Sequence, residues 1–448
     1  MEDTIAAVAT AWAPAAIGVL RLSGPQALPI VLRLARRTKP LRPRYATLAT
    51  LYEEDGQPLD QALLLYFPAP HSYTGEDLVE LSCHGSLYIL RRLTELCLSY
   101  GARLARPGEF TLRAYLHRKL SLEQAEAVAD LIQARSAAAH RLAMSQFKGA
   151  YTEKVRAFRQ QLIEFLALLE LELDFAEEDV EFASRAQLRQ LLEALKAEIT
   201  RLLASYRAGR AVREGIPIAI IGRPNAGKST LLNALLAEER AIVSEIPGTT
   251  RDTIEERLIL GGYELRLIDT AGLRAAPADP IEAEGIRRAR QKLQEAFLLL
   301  YVFDASQESL SEAQKAAVQL LGGTPPAPIL WVANKIDLLG KAPLAEGAIP
   351  ISAQHRIGLD RLEEAILAEL NRQGLGEEVL LSHLRHQESF LRAKEAIENA
   401  LLLLKEGSGT ELIAEELRAA QAAIGEITGE ITPDEILGHI FANFCIGK

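Results

Sequence analysis

The stretch IPIAIIGRPNAGKSTLLNALLAE, residues 216–238, leaves this chain little freedom of fold. IPIAII has the continuous apolar character of a buried strand, and STLLNALLAE has the character of a helix. Between them Gly222, Gly227, Lys228 and Ser229 match the spacing G-x-x-x-x-G-K-[ST], in the strand-to-helix context that gives the spacing its meaning. The glycines let backbone amides turn inward around phosphate oxygens, Lys228 brings an ammonium to the outer phosphates, and the Ser229 hydroxyl suits magnesium. A helix N-terminus adds positive polarity. The expected cradle is Asn225, Ala226, Gly227, Lys228, Ser229 and Thr230, with Lys228 also acting in catalysis through its charge.

Such a loop belongs to an α/β unit, and further strand-like runs follow at YELRLIDT, FLLLYVFD, APILWVANK and AIPIS. Helical stretches separate most of them, which predicts a mostly parallel sheet covered on both faces. Asn334, Lys335 and Asp337 of NKID follow the strand ILWVA. A carboxylate there can accept the ring N–H and exocyclic amine of guanine, a donor pair adenine lacks, so the geometry selects GTP. Ser352 and Ala353 complete the base pocket through backbone contacts. Asp269 ends a strand at DTAG, where it can hold a magnesium-bound water. Thr270 and Ala271 lead from it to the Gly272 amide, which can meet the terminal phosphate. The run Ser244, Glu245, Ile246, Pro247, Gly248, Thr249 and Thr250 supplies a hydroxyl for magnesium and a loop that orders around a triphosphate.

The residue after DTAG is Leu273, which cannot orient a water. Asp279, Glu282 and Glu284 are candidate water-positioning acids, and Arg251, Arg274, Arg287 and Arg288 are nearby positive charges; composition does not choose among them.

A chain of 448 residues exceeds one core. Residues 1–118 alternate short β-like runs with turns, as in a compact α+β domain. Residues 119–212 and 376–448 have helical spacing, and the simplest layout inserts residues 213–375 into one helical domain; a separate C-terminal helical domain is the alternative. Glu2, Asp3 and Pro14 make the N-terminus a poor export signal, and no apolar run reaches the roughly 18 residues of a membrane span. Cys83, Cys97 and Cys445 suit neither a disulfide scaffold nor a metal site, and His71, Cys83 and His84 lack ligand spacing. A cytoplasmic protein is expected.

A net charge of -10 argues against a whole surface devoted to nucleic acid. A local patch exists: Arg33, Arg36, Arg37, Lys39, Arg42 and Arg44 lie within residues 31–44 with no acid among them. It reads either as a solvated helix end or as an RNA-backbone contact. Glu170, Glu172, Asp174, Glu177, Glu178, Asp179 and Glu181 crowd into residues 170–181, and a solvated helix junction fits better than a calcium loop.

Taken together these residues resemble the MnmE (TrmE) family of tRNA modification GTPases, over essentially the whole chain. DTIAAVAT, IGVLRLSG, SYTGEDLVELSCHG, ARPGEFTLRAYLHRKLSLEQAEAVADLI and the terminal FCIGK carry the likeness outside the general GTPase motifs. The resemblance implies a multidomain chain: an N-terminal α+β tetrahydrofolate-binding and dimerisation domain, an all-helical domain ending in CIGK, and an inserted Ras-like P-loop GTPase domain. It implies a homodimer that joins a flavin-containing partner, the MnmG (GidA) protein, as a heterotetramer. Together they would add a carboxymethylaminomethyl-type group to carbon 5 of the wobble uridine of tRNA. The one-carbon unit would come from 5,10-methylenetetrahydrofolate, with 5-formyltetrahydrofolate as a related ligand.

The resemblance further implies face-to-face pairing of GTPase domains around a potassium ion held by Asn225, Ser244, Ile246 and Thr249. Magnesium would sit on Ser229 and Thr250, with Asp269 acting through water, and Glu282 would position the attacking water. Folate would meet Arg21, Glu80, Lys119 and Lys448. Cys445 reads either as a thiol for one-carbon chemistry or as a packed side chain. WAPAAIG is poor in glycine where the family's loop is rich in it, and Ser86 stands where the family more often has glycine. A ribosome-assembly GTPase, or a conformational scaffold without one-carbon chemistry, are the competing readings.

Overall fold

Along much of the N-terminal sheet's strands burial alternates residue by residue although most residues are apolar, and this period of two decides which face is covered. The computed structural model describes residues 3–149, 152–174, 184–238, 255–269, 293–339, 346–376 and 381–429, together with Leu437, Ile440, Phe441, Phe444 and Gly447. They form two compact units, one holding residues 1–129, 147–160 and 421–448, the other residues 130–146 and 161–420.

In the first unit β1 (Ile5–Val8), β2 (Ala15–Ser23), β3 (Thr47–Tyr52), β4 (Pro58–Phe67), β5 (Leu78–Gly85) and β6 (Arg103–Leu104) form a sheet of order β3-β4-β5-β2-β1-β6. Neighbours are antiparallel except β1 and β6. Leu20, Leu22, Leu51, Leu64 and Leu81 face α1 (Ala27–Leu34) and α2 (Leu87–Ser99), which return Ile30, Leu34, Leu90 and Leu93 to the same core. Each such leucine, fully buried, contributes about 1.5–3 kcal/mol. The opposite face carries Arg21 and Glu80 in register, and its Ile17, Leu48 and Leu63 are exposed. The helix α3 (Glu109–Leu116) completes the described fold here by burying Phe110 and Arg113.

Longer helices follow: α4 (Leu122–Gln133), α5 (Ala137–Phe147), α6 (Thr152–Asp174) and α7 (Arg185–Glu214). Part of the acidic junction is not solvated. Glu172 is buried, with an Arg185 Nη2 at 2.6 Å, and Glu170 meets Arg418 at 3.2 Å. A carboxylate taken out of water needs such a partner, which composition does not reveal. Glu177, Glu178, Asp179 and Glu181 lie outside the described residues.

The second sheet contains β7 (Ile216–Ile221), β8 (Glu255–Leu260), β9 (Tyr263–Asp269), β10 (Leu298–Asp304), β11 (Ile329–Asn334) and β12 (Ile349–Pro350). Its order is β12-β11-β10-β7-β9-β8, parallel except for the hairpin of β8 with β9. Every residue of β7 and β10 is buried, as central strands covered on both faces require. One core takes Ile218, Ile220, Leu298 and Leu300 against α8 (Lys228–Glu238); the other takes Ala219, Ile221, Leu299 and Tyr301 against α9 (Leu310–Leu321). The loop after β7 opens between β9 and β10, where the strand order reverses and ligands settle in open α/β sheets. The edge strand β8 was not anticipated, because EERLIL begins with three charged residues in its first three positions.

After α10 (Leu359–Arg372), the chain continues through α11 (Leu384–Glu406) and α12 (Thr410–Thr428). The segments entering and leaving the sheet touch: Arg213 Nη1 donates to the Ser382 carbonyl at 3.1 Å, and the Leu381 N–H donates to Ser205 Oγ at 3.0 Å. Farther along, Lys196 of α7 pairs with Glu398 of α11 at 2.9 Å. Among the described residues no helix is long and apolar enough to cross a membrane.

Candidate functional site

The phosphate loop takes the backbone its glycines permit. Gly222 and Gly227 have φ of +144° and +95°, and a Cβ would drive the first into the Val302 carbonyl and the second into the Asn334 amide. Asn225 holds φ 62° without being a glycine and is exposed at the loop's rim. Asparagine is among the few side chains that accept this conformation cheaply. Lys228 opens α8 and spans the loop, its Nζ 2.9 Å from the Gly222 carbonyl and 2.8 Å from that of Arg223. Ala226 is buried beneath, while Ser229 and Thr230 are exposed in the first turn of α8.

The segment expected to read the base is tied to this loop. Asn334 ends β11 buried, donating Nδ2 to the Ala226 carbonyl at 2.8 Å and accepting the Ala353 N–H on Oδ1 at 3.0 Å. Lys335 adopts φ 64° and reaches Asp304 Oδ2 at 2.7 Å. Burial opposes ionisation of Asp304, but bonds from Lys335 and Ser306 outweigh it and hold this carboxyl below its ordinary range. The Ser352 hydroxyl, ahead of smaller contributions, likewise lowers Asp337. Asn334, Lys335, Asp337, Ser352 and Ala353 are thus gathered at the ends of β11 and β12. Asp304 is an addition that sequence reading missed; its signal was an acid ending the buried run LLLYVFD.

Asp269 ends β9 as expected, alongside β7 through the register Ile220 to Asp269, although its side chain lies outside the described residues. So do Ser244, Glu245, Ile246, Pro247, Gly248, Thr249, Thr250, Thr270, Ala271, Gly272, Glu282, Cys445 and Lys448.

In the first unit Arg21 and Glu80 form an ion pair, with Nε at 2.9 Å and Nη2 at 2.7 Å from Glu80 Oε1. Both contacts fall on one oxygen, leaving Oε2 to accept from another group. The guanidinium lies 5.7 Å from the ring centres of Tyr73 and Phe110. Its Nη1 donates to the Gly447 carbonyl at 3.4 Å, which brings the residue before Lys448 to this spot. Lys119 is exposed just beyond α3, two residues after His117, whose Nδ1 meets the Thr74 carbonyl at 2.8 Å. Thr74 in turn bonds Ser23 on β2.

Beneath this lies a network the motifs did not disclose. Arg113 is fully buried and contacts Glu76 at 2.9 Å, Asp3 at 2.9 Å and Glu109 at 3.2 Å. Cys83 and Cys97 are buried free thiols, pushed by burial to about 11 and about 12. His84 pairs with Asp60 at 2.7 Å, and no group of metal-ligating side chains occurs among the described residues.

Comparison with known proteins covers the chain from end to end. A profile of the GTP-binding protein TrmE N-terminus matches residues 4–119, and a profile of the MnmE helical domain matches residues 122–445. The tRNA modification GTPase MnmE of Cytophaga hutchinsonii is 44% identical, over 100% of this chain and 98% of its own length. That of Chlorobium phaeobacteroides is 47% identical over 100% and 97%. That of Aquifex aeolicus is 43% identical over the whole of both chains.

Proposed function

Because the chain belongs to the tRNA modification GTPase MnmE family, we propose that it hydrolyses GTP in the service of tRNA modification. The observation that carries the GTP half is the Asn334 brace, which ties the phosphate loop at Ala226 to Ala353, beside the segment that holds Asp337. The modification is that of carbon 5 of the wobble uridine, performed with a flavin-containing MnmG partner in a heterotetramer. Residues 213–375 act as a GTPase domain inserted into the helical domain, a reading supported by the touching entry and exit segments.

Magnesium suits the hydroxyls of Ser229 and Thr250 with Asp269 behind them, a hard oxygen set. Asn225 is fit to meet a potassium ion, since it brings an amide side chain to the exposed rim of the loop, with Ser244, Ile246 and Thr249 as further oxygen donors. A bound monovalent cation supplies positive charge beside the phosphates. Glu282 orients the attacking water when GTPase domains pair.

The first unit fits a reduced folate. Arg21 on its aromatic floor offers a cation, Glu80 keeps an acceptor oxygen, and Lys119 and Lys448 suit an anionic glutamate tail. Exposed Ile17, Leu48 and Leu63 on the open sheet face support a homodimer through this unit. Cys445, near Gly447 in sequence, serves either one-carbon chemistry or packing.

The test is transfer of label from methylene-labelled tetrahydrofolate into tRNA by the full chain with its flavoprotein partner, GTP and potassium. Label in the wobble uridine that disappears with Glu80→Gln is expected. GTP turnover without any labelled tRNA would overturn the modification reading.

A further inference from the structure

We propose that residues 33–45, at the end of α1 and beyond it, form a docking surface for the phosphate backbone of RNA. The proposal rests on the tRNA reading above and adds the place where RNA is held. Arg33, Arg36, Lys39, Arg42 and Arg44 are exposed. Among the described residues none of them is in an ion pair, whereas the nearby Arg92 is held by Glu53 at 2.9 Å. Cations crowded together without acidic partners repel one another, and an anion that meets them relieves that repulsion.

Three of these guanidiniums lie over tyrosine rings. Arg33 lies 3.9 Å from the Tyr100 ring centre, Arg36 5.1 Å from Tyr52, and Arg42 5.3 Å from Tyr45. A guanidinium held over a ring keeps N–H donors for phosphate oxygens, and the contact restricts rotamer freedom before a ligand arrives. Arg33, Arg36, Tyr52 and Tyr100 line a cleft of about 400 Å³. Of its two acids Glu53 is paired by Arg92, while Glu54, 3.0 Å from the Ser99 hydroxyl, keeps its charge. Tyr45, 56% exposed, adds a platform on which a base can stack.

The backbone points the same way. Arg36 and Arg44 hold φ of 47° and 56°, conformations that cost a residue other than glycine about 1–2 kcal/mol. Glycine would fit more cheaply but would carry no charge. Lys335 of the expected nucleotide site, Arg118 beside Lys119 and Arg356 also hold positive φ. A membrane surface fits less well, since the apolar face of α1, Ala27, Ile30, Val31 and Leu34, is already buried in the core and nothing remains to insert.

The test is binding of a fluorescent tRNA transcript to the full chain between about 50 and 200 mM potassium chloride. The triple variant Arg36→Gln, Lys39→Gln, Arg42→Gln is expected to bind at least tenfold more weakly. Its plot of log affinity against log salt should be shallower by about two units, since each lost phosphate contact removes about 0.7–0.9. Tyr45→Ala should weaken binding while leaving the slope alone, with thermal melts of both variants matching the parent. Parent-like affinity and slope in the triple variant overturn the patch and leave the tRNA reading standing; no binding by the parent overturns both. Equal capture of a polyglutamate peptide, lost in the same variant, would reassign the surface to an acidic protein.

Discussion

Asn334 joins the glycine-rich loop to the segment after β12, its Nδ2 donating to the Ala226 carbonyl at 2.8 Å and its Oδ1 accepting the Ala353 N–H at 3.0 Å. The residue that sequence reading assigned to the base pocket is thus also the strut of the phosphate loop.

Removing the strut should therefore damage more than base choice. Asn334→Ala strips the buried Ala226 carbonyl of its partner, at a cost of about 1–3 kcal/mol for a buried polar group left unmet. Affinity for GDP and GTP should fall by roughly tenfold or more, read by titration with a fluorescent analogue. Gly227→Ala should do at least as much, because its Cβ meets the Asn334 amide on a backbone of positive φ.

The carboxylate expected to read the base gives a dependence on pH. Asp337 is lowered from its ordinary value of 3.8, chiefly by the Ser352 hydroxyl. With a lowered value in the folded protein, its contribution is fully present above about pH 4 and is lost as pH falls through the folded value. Ser352→Ala should shift that loss upward, which carboxyl resonances followed through an acid titration would register.

The Arg113 network predicts acid sensitivity of the first unit. Burial opposes ionisation of Glu109, but bonds from Arg103 and the Arg106 N–H outweigh it and hold the carboxyl below 4.5. Its stabilisation is present above that value and lost as pH falls through the folded one. Arg113→Met, which leaves Glu76 and Glu109 without their buried cation, should cost about 3–5 kcal/mol in denaturant unfolding.

Cys83 and Cys97 should resist alkylation in the native protein. With thiols pushed to about 11 and about 12, neither offers thiolate at pH 8, so labelling should await unfolding. Rapid native labelling at either position, read by peptide mass, would contradict the burial described here.

The placement of the residues expected to hold nucleotide was legible in sequence because they lie in short contiguous spacings: Gly222 to Ser229 run from one loop into α8, and Asn334 to Asp337 lie at one strand end. Asp304 and Arg113 were not, since their partners are distant in sequence, and a charged residue discloses its pairing only once the chain has folded. The strand β8 escaped notice because an edge strand can keep charges along its length. The basic segment at 31–44 was legible as charge, but the tyrosines beneath it come from β3 and the end of α2.

The most direct measurement is GTP turnover by the full chain in potassium against sodium at matched ionic strength, with association followed in GDP and aluminium fluoride. The account predicts potassium-selective turnover accompanied by pairing of GTPase domains, both lost in Asn225→Ala. Equal turnover in the two salts by a chain that never pairs would leave the phosphate loop intact and contradict the mechanism proposed for it.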